Sequence, residues 1–240
     1  MNVDFPEMTA TPTDRSDPPL ASRRAITVAG ISLMLSACAN VSSPVVQNAA
    51  KVVRNEIFGY PDMELKRSAV NKLPYAVMLA RVGNGPQALV VLSSVLGDRL
   101  TWVSADRASL VTLGGRVVRT SGFPENLKNT VVGGEDPTNG LLHLITTGTT
   151  FTRVVDIDRE HQIGLIVDSE FTILGRETIN IVEIDFETIL VRERNRARSV
   201  NWDFDNFYWV DAEDGYVWRS VQHIARTFPP LEYSVLKPFG

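Results

Sequence analysis

From residue 75 onward the chain alternates short β-branched runs with glycine-centred turns, and this spacing restricts it to an antiparallel meander. Residues 75–82 end at Gly83-Asn84-Gly85-Pro86, 88–95 stop at Gly97-Asp98, and 100–104 give way to the polar link 105–109. Residues 110–113 and 116–121 flank Gly114-Gly115, the sequence of a tight hairpin. Such links are too short for the crossover of a βαβ unit, which takes about a dozen residues or more. Residues 122–140, with Pro124, Gly133, Gly134 and Pro137, read as the longest irregular piece. Beyond it strands are predicted over 141–156, 163–174 and 178–194. In the last, Ile184, Phe186, Thr188 and Leu190 share one face, and Glu183, Asp185 and Glu187 the other. Ile179 and Ile181 fall in the opposite phase, which predicts a bulge near Val182. Arg192, Glu193, Arg194, Arg196 and Arg198 read as a solvated strand end. The aromatic-dense remainder places strands on either side of Asp211-Ala212-Glu213-Asp214-Gly215, and 231–236 supply a last one. The expectation is a single all-β domain over 61–240, barrel-like or sandwich-like.

The N-terminal part carries a different signal. Arg23 and Arg24 precede an apolar run over 25–34, which ends in Leu35-Ser36-Ala37-Cys38. The run is shorter than the ~20 residues of a membrane span and has the order of a secretory signal. The Leu-Ser-Ala-Cys sequence resembles the lipobox of bacterial lipoproteins, which implies that Cys38 is lipidated and becomes the mature N-terminus. Cys38 is the only cysteine, so a disulfide within one copy is excluded. Burial of acyl chains contributes ~0.8 kcal/mol per CH2, and two or three chains hold a protein at a bilayer. Residues 1–37 therefore read as a signal peptide with an extended, acidic and proline-rich n-region. Ser22-Arg23-Arg24-Ala25-Ile26 also looks like a twin-arginine export motif, although Thr27 replaces its second apolar residue; a plain basic n-region explains the same residues. Residues 38–60 read as lipid anchor, tether and one N-terminal helix. Ser43 caps that helix, Pro44 begins it, Gly59 ends it, and Val46, Ala50, Val53 and Ile57 share a face.

Charge narrows the partners. Residues 1–37 hold three of the 24 basic and four of the 28 acidic residues, so the mature chain keeps 21 and 24. A balance this close argues against nucleic acid as a partner. His143, His161 and His223 lie far apart, so no metal site is predicted. With no Gly-x-Ser-x-Gly elbow and no phosphate-cradling loop, no cofactor is predicted either. The acidic face of Glu183, Asp185 and Glu187 reads as the wet side of a sheet. Glycoside-cleaving chemistry stays open, because two facing carboxylates are a spatial feature that spacing does not reveal.

An internal echo supplies the candidate binding residues. Trp102-Val103-Ser104-Ala105-Asp106 is matched by Trp209-Val210-Asp211-Ala212-Glu213, and Gly115-Arg116-Val117-Val118-Arg119-Thr120 by Gly215-Tyr216-Val217-Trp218-Arg219-Ser220. The echo fits an internal duplication with halves of about 74–140 and 141–240, and convergence on good hairpin sequence explains matches this short as well. Sugars present apolar ring faces and many hydroxyls, and Trp102, Asp106, Arg116, Arg119, Trp218, Arg219 and Gln222 supply the aromatic and polar groups that suit them. The bland alternative puts both tryptophans in the core and the arginines on Asp106 or Asp211.

These same stretches, with Phe207-Tyr208-Trp209-Val210-Asp211, Val221-Gln222-His223 and the ending Val235-Leu236-Lys237-Pro238, resemble the YjbF/GfcB lipoproteins. The resemblance covers nearly all of the mature chain. It implies an all-β, non-enzymatic lipoprotein of the outer membrane, facing the periplasm and assisting secretion of an exopolysaccharide or capsule. The competing class is then a periplasmic enzyme that modifies or hydrolyses that polysaccharide. The partners it implies are the outer-membrane secretion proteins or the polysaccharide itself. Two outcomes follow from the N-terminus. Cys38→Ser should abolish acylation, and palmitate labelling of that variant would contradict the lipobox. Ala39, where Asp would signal retention in the inner membrane, directs the protein to the outer membrane, as fractionation of the two membranes would register.

Overall fold

The computed structural model describes residues 60–158 and 162–240; Cys38, the signal segment and the helix expected before Gly59 lie outside those residues. Twelve strands follow a five-residue helix, α1 (Arg67–Asn71). They are β1 (Val77–Val82), β2 (Ala88–Leu96), β3 (Arg99–Ser104), β4 (Ser109–Leu113), β5 (Arg116–Ser121) and β6 (Leu127–Val132), then β7 (Thr149–Ile157), β8 (Gln162–Ile181), β9 (Ile184–Ala197), β10 (Trp202–Asp211), β11 (Val217–Gln222) and β12 (Leu231–Lys237). All form one antiparallel sheet in the order β5-β4-β3-β2-β1-β12-β11-β10-β9-β8-β7-β6. Every paired neighbour except β12–β1 is also a sequence neighbour, so the sheet curls into a nearly closed up-and-down barrel. The breach lies between β5 and β6. Side chains and loops span it: Leu127 N–H donates to Thr120 Oγ1 at 3.0 Å, and Gly115 N–H to the Thr138 carbonyl at 2.9 Å. Closure leaves few edge groups free to pair with another chain.

Period-two alternation fills the interior. Along β10, Trp202, Phe204, Asn206, Tyr208 and Val210 are buried, whereas Asp203, Asp205, Phe207 and Trp209 point outward. Met78, Trp102, Val167, Phe171, Val191 and Tyr233 meet them from the other strands. The outer wall of β7–β10 is polar by contrast. Register places Thr150, Glu170, Arg194 and Asp205 in one outward row and Thr152, Asp168, Arg196 and Asp203 in the next. A largely apolar filling inside a charged wall is the reverse of a membrane-spanning barrel, whose apolar band faces lipid.

Three expectations need correction. The irregular stretch 122–140 contains β6, whose Leu127 and Thr130 face inward. The strand expected from 141 begins only at Thr149, because Pro137 to Leu144 forms successive turns closed by bonds such as Leu141 N–H to the Pro137 carbonyl. Third, the phase change at Val182 is a two-residue hairpin turn rather than a bulge. Val182 and Glu183 take positive φ angles of 47° and 65°, a conformation disfavoured for a β-branched residue, so the usual turn signal is missing. The bulge falls instead between Ile173 and Gly175.

Beyond that bulge, β8 and β9 continue as an arm that folds onto the outer wall. Ile179 and Ile181 pack with Val77, Leu79, Leu236 and Val70 in a second apolar cluster outside the barrel. Arg67 latches the tip: its Nε donates to the Val182 carbonyl at 3.0 Å, and its two terminal nitrogens to the Leu236 and Ile181 carbonyls at 2.6 Å each. Arg67→Met should therefore free the arm, costing on the order of 1–3 kcal/mol. Hydrogen exchange should quicken over 176–188 while the barrel interior stays protected; equal protection of the arm in the variant would refute the latch.

Candidate functional site

The side chain of Arg116 enters the barrel from the start of β5 and is 2% exposed. Its Nε lies 2.5 Å from Asp136 Oδ2, and a terminal nitrogen 2.9 Å from Glu193 Oε1. Glu193 of β9, with 0% exposure, also accepts from Arg153 of β7 at 3.0 Å, from Asn206 at 2.8 Å and from the Tyr208 hydroxyl at 2.9 Å, both on β10. Arg153 reaches Ser169 and Asn195 as well. A second set of bonds ties the start of β5 to the far wall. Val117 N–H donates to Gln222 Oε1, while Gln222 Nε2 and the Tyr233 hydroxyl both donate to the Gly115 carbonyl. Glu193 and Asn195 thus point inward, which corrects the reading of 192–198 as a solvated strand end.

Burial alone would raise the Glu193 carboxyl, but Arg116 and Arg153 outweigh it and hold the group well below the usual carboxylate range. Burial lowers Arg116, yet Glu193, Tyr208 and Asp136 reverse the effect and raise it. Burial pushes the Tyr208 hydroxyl well up, so it stays protonated and donates to Glu193. Two arginines thus face two carboxylates in the barrel interior.

The seven candidate binding residues occupy different places. Trp102 is 1% exposed and donates to Thr112 Oγ1 at 3.0 Å. Arg116 and Gln222 belong to the interior network. Asp106 sits in the β3–β4 turn and accepts from the Ser104 hydroxyl. Arg119 is exposed on the outer face of β5. Trp218 and Arg219 lie on the outer wall under the arm. Trp218 packs on Phe186 with ring centroids 4.0 Å apart and donates to Asp211 at 3.0 Å. Arg219 donates to Ser234 Oγ at 3.0 Å and the Asn180 carbonyl at 3.3 Å. The acidic trio is also engaged, Glu183 by the Arg67 N–H, Asp185 by Asn180 and Glu187 by Thr178.

The echoed segments are alike in one half and different in the other. Val118 and Trp218 each stand as the extra residue of a one-residue bulge, Thr120 and Ser220 are buried, and Arg119 and Arg219 both point outward. Their tryptophan strands differ: β4 separates β3 from β5, whereas β10 and β11 pair directly, and Trp102 faces in while Trp209 faces out.

Concave surface is available in three main places. A groove of about 600 Å³ runs between residues 62–66, the arm tip and β1, β11 and β12, with Arg81, Arg219 and Glu232 along it. A shallow one of about 750 Å³ follows the outward rows of β7–β10. A cavity of about 380 Å³ occupies the barrel mouth above Trp102. Among the described residues there is no group of three His, Cys, Asp or Glu side chains placed to hold a metal ion.

Residues 50–236 match the family described as YjbF, group 4 capsule polysaccharide lipoprotein gfcB, YjbF. Two lipoproteins of Escherichia coli K12 are similar over most of their length. GfcB is 28% identical over 208 residues, covering 86% of this chain and 95% of that protein; YjbF is 26% identical over 208 residues, covering 86% and 94%. The crystal structure of the hypothetical lipoprotein YmcC from the same organism matches with a TM-score of 0.67 at 26% identity, over 84% of this chain and 99% of that one.

The interior network sets a pH dependence. Glu193 has a depressed folded pKa, so its contribution is complete above its unfolded value, ~4.3, and is lost as pH falls below it. His223, lowered by burial, acts in the same direction from its unfolded value of ~6.5 downward. Urea midpoints should therefore decline as pH falls from 7 to 4. Glu193→Gln leaves Arg153 buried without a carboxylate and Arg116 with Asp136 alone, and should cost about 3–5 kcal/mol at pH 7. Its midpoint should also fall less steeply below pH 4.5; a slope as steep as the parent's would show that another group carries the acid sensitivity.

Proposed function

The chain belongs to the group 4 capsule polysaccharide lipoprotein family, and from that premise we propose that it is a non-catalytic accessory of capsule or exopolysaccharide secretion. It is held at the outer membrane through lipidated Cys38, faces the periplasm, and acts by contact with partner secretion proteins or the polymer. The observation that carries this reading is the filled barrel. At the level of Arg116 and Arg153 the interior space is about 20 Å³, room for one water and far too little for a sugar chain. Polymer cannot thread such a barrel, so recognition falls to its wall and mouth. The buried carboxylates Glu193 and Asp136 are both committed to Arg116, which further favours binding over acid–base chemistry.

Deletion of the protein, or its replacement by the Cys38→Ser form, should lower surface polysaccharide several-fold while the composition and linkages of the remaining polymer stay unchanged. Quantifying cell-surface polymer together with its linkage analysis checks both points. Normal surface amounts would refute the secretion role, and altered linkages or chain length would favour a modifying enzyme.

A further inference from the structure

The β2–β3, β4–β5 and β10–β11 turns surround a blind cavity of about 380 Å³. Met78, Trp102 and Tyr233, none more than 2% exposed, close its inner end. Its size lies within the ~300–1,000 Å³ of small-molecule sites, and a β-barrel mouth is one of the places where such sites occur. Gly97 and Gly140 lie at its lining, where an added Cβ would meet nothing within 4 Å and where φ angles of 58° and 77° suit glycine.

The chemistry of the lining selects a ligand. Tyr216, at the wall, and Phe239, 55% exposed at the lip, offer aromatic surface. Asp98, Asn139 and Asp214 add carboxylate and amide groups at the rim, able to accept from or donate to hydroxyls. No Lys, Arg or His lines the cavity, so an anionic group entering it would meet two carboxylates and no cation. A sugar ring without charge satisfies all of this, with its C–H face against the aromatic rings and its hydroxyls on the rim. Because Trp102 and Tyr233 seal the floor, a chain cannot pass through, and an end residue, with one neighbour to lead out of the mouth rather than two, fits such a cavity best.

We propose that the barrel mouth is a receptor for the uncharged terminal residue of a polysaccharide chain. The inference rests on the capsule reading above for the origin of that chain, and it assigns the site to chain ends rather than to the polymer's length. Both Asp98 and Asn139 are exposed, so replacing them leaves the core intact.

The test uses the full mature chain with Cys38→Ser and saturation-transfer NMR. The probes are neutral oligosaccharides from partial acid hydrolysis of the producing cell's own extracellular polymer, and the intact polymer at equal sugar mass. Fragments should bind, at least tenfold more strongly than intact polymer per unit mass, and the Asp98→Ala/Asn139→Ala double variant should weaken them at least tenfold. Fragment binding that survives the double variant would overturn the mouth site, as would polymer binding in proportion to its internal residues, or no sugar binding at all. None of these results touches the secretion role, which fails only if cells lacking the protein export polymer normally.

Discussion

One buried carboxylate organises the barrel. Glu193 of β9 receives Arg116 from β5, Arg153 from β7, and Asn206 and Tyr208 from β10, so four strands are tied at a point with no exposure. Removing such charges from water costs several kcal/mol per ion, and their attraction compensates only when every lone pair and proton is placed. Here the geometry is nearly complete, with Asp136 holding the remaining side of Arg116 through two bonds. Breaking the set leaves a charge stranded in a low-dielectric interior. A fully apolar filling could be as stable, yet it would not fix which strand faces which across the barrel; the paired charges admit one arrangement.

The same interaction explains why the breach between β5 and β6 is tolerated. Strand β5 lacks a ladder partner on that side, but Arg116 and the Gly115 and Val117 backbone groups anchor its start through the interior to β9, β11 and β12. Asp136, which follows β6, is drawn to the same guanidinium and brings its loop across the gap. Closure is thus accomplished by side chains where backbone bonds are missing.

With its interior filled, the molecule presents only its outside and its ends. The arm covers part of the outer wall and buries Ile179 and Ile181 there, which leaves the groove beside Arg219, the charged rows of β7–β10 and the open mouth. Membership of a capsule polysaccharide lipoprotein family gives these surfaces a context, and the predominance of polar residues along the rows is what a wall in contact with water requires.

Much of the fold was legible in the chain alone. Strands β1 to β5 and β10 to β12 follow from β-branched runs and glycine turns, because turn chemistry and period-two alternation act over a few residues. The family was legible too, from the motifs around Trp102, Arg116, Trp209 and Trp218. The turn at Val182-Glu183 was not, since it uses residues that disfavour positive φ and is held by Arg67 from more than a hundred positions away. Nor were the roles of Arg116 and Gln222, which looked like surface candidates and lie inside, whereas a core position for Trp102 was already one of the two readings. Alternation tells which residues share a face; it does not tell whether a polar residue on the inner face will find its partner. Glu193 in the run Val191, Glu193, Asn195, Ala197 sits in phase with buried positions, a signal that the neighbouring arginines masked. Sequence therefore determined most of the strands, the antiparallel meander and the family. Only the tertiary structure decided which charges meet inside and which surfaces remain outside, because those pairings join β5, β7, β9 and β10 across distances that local propensity does not sense.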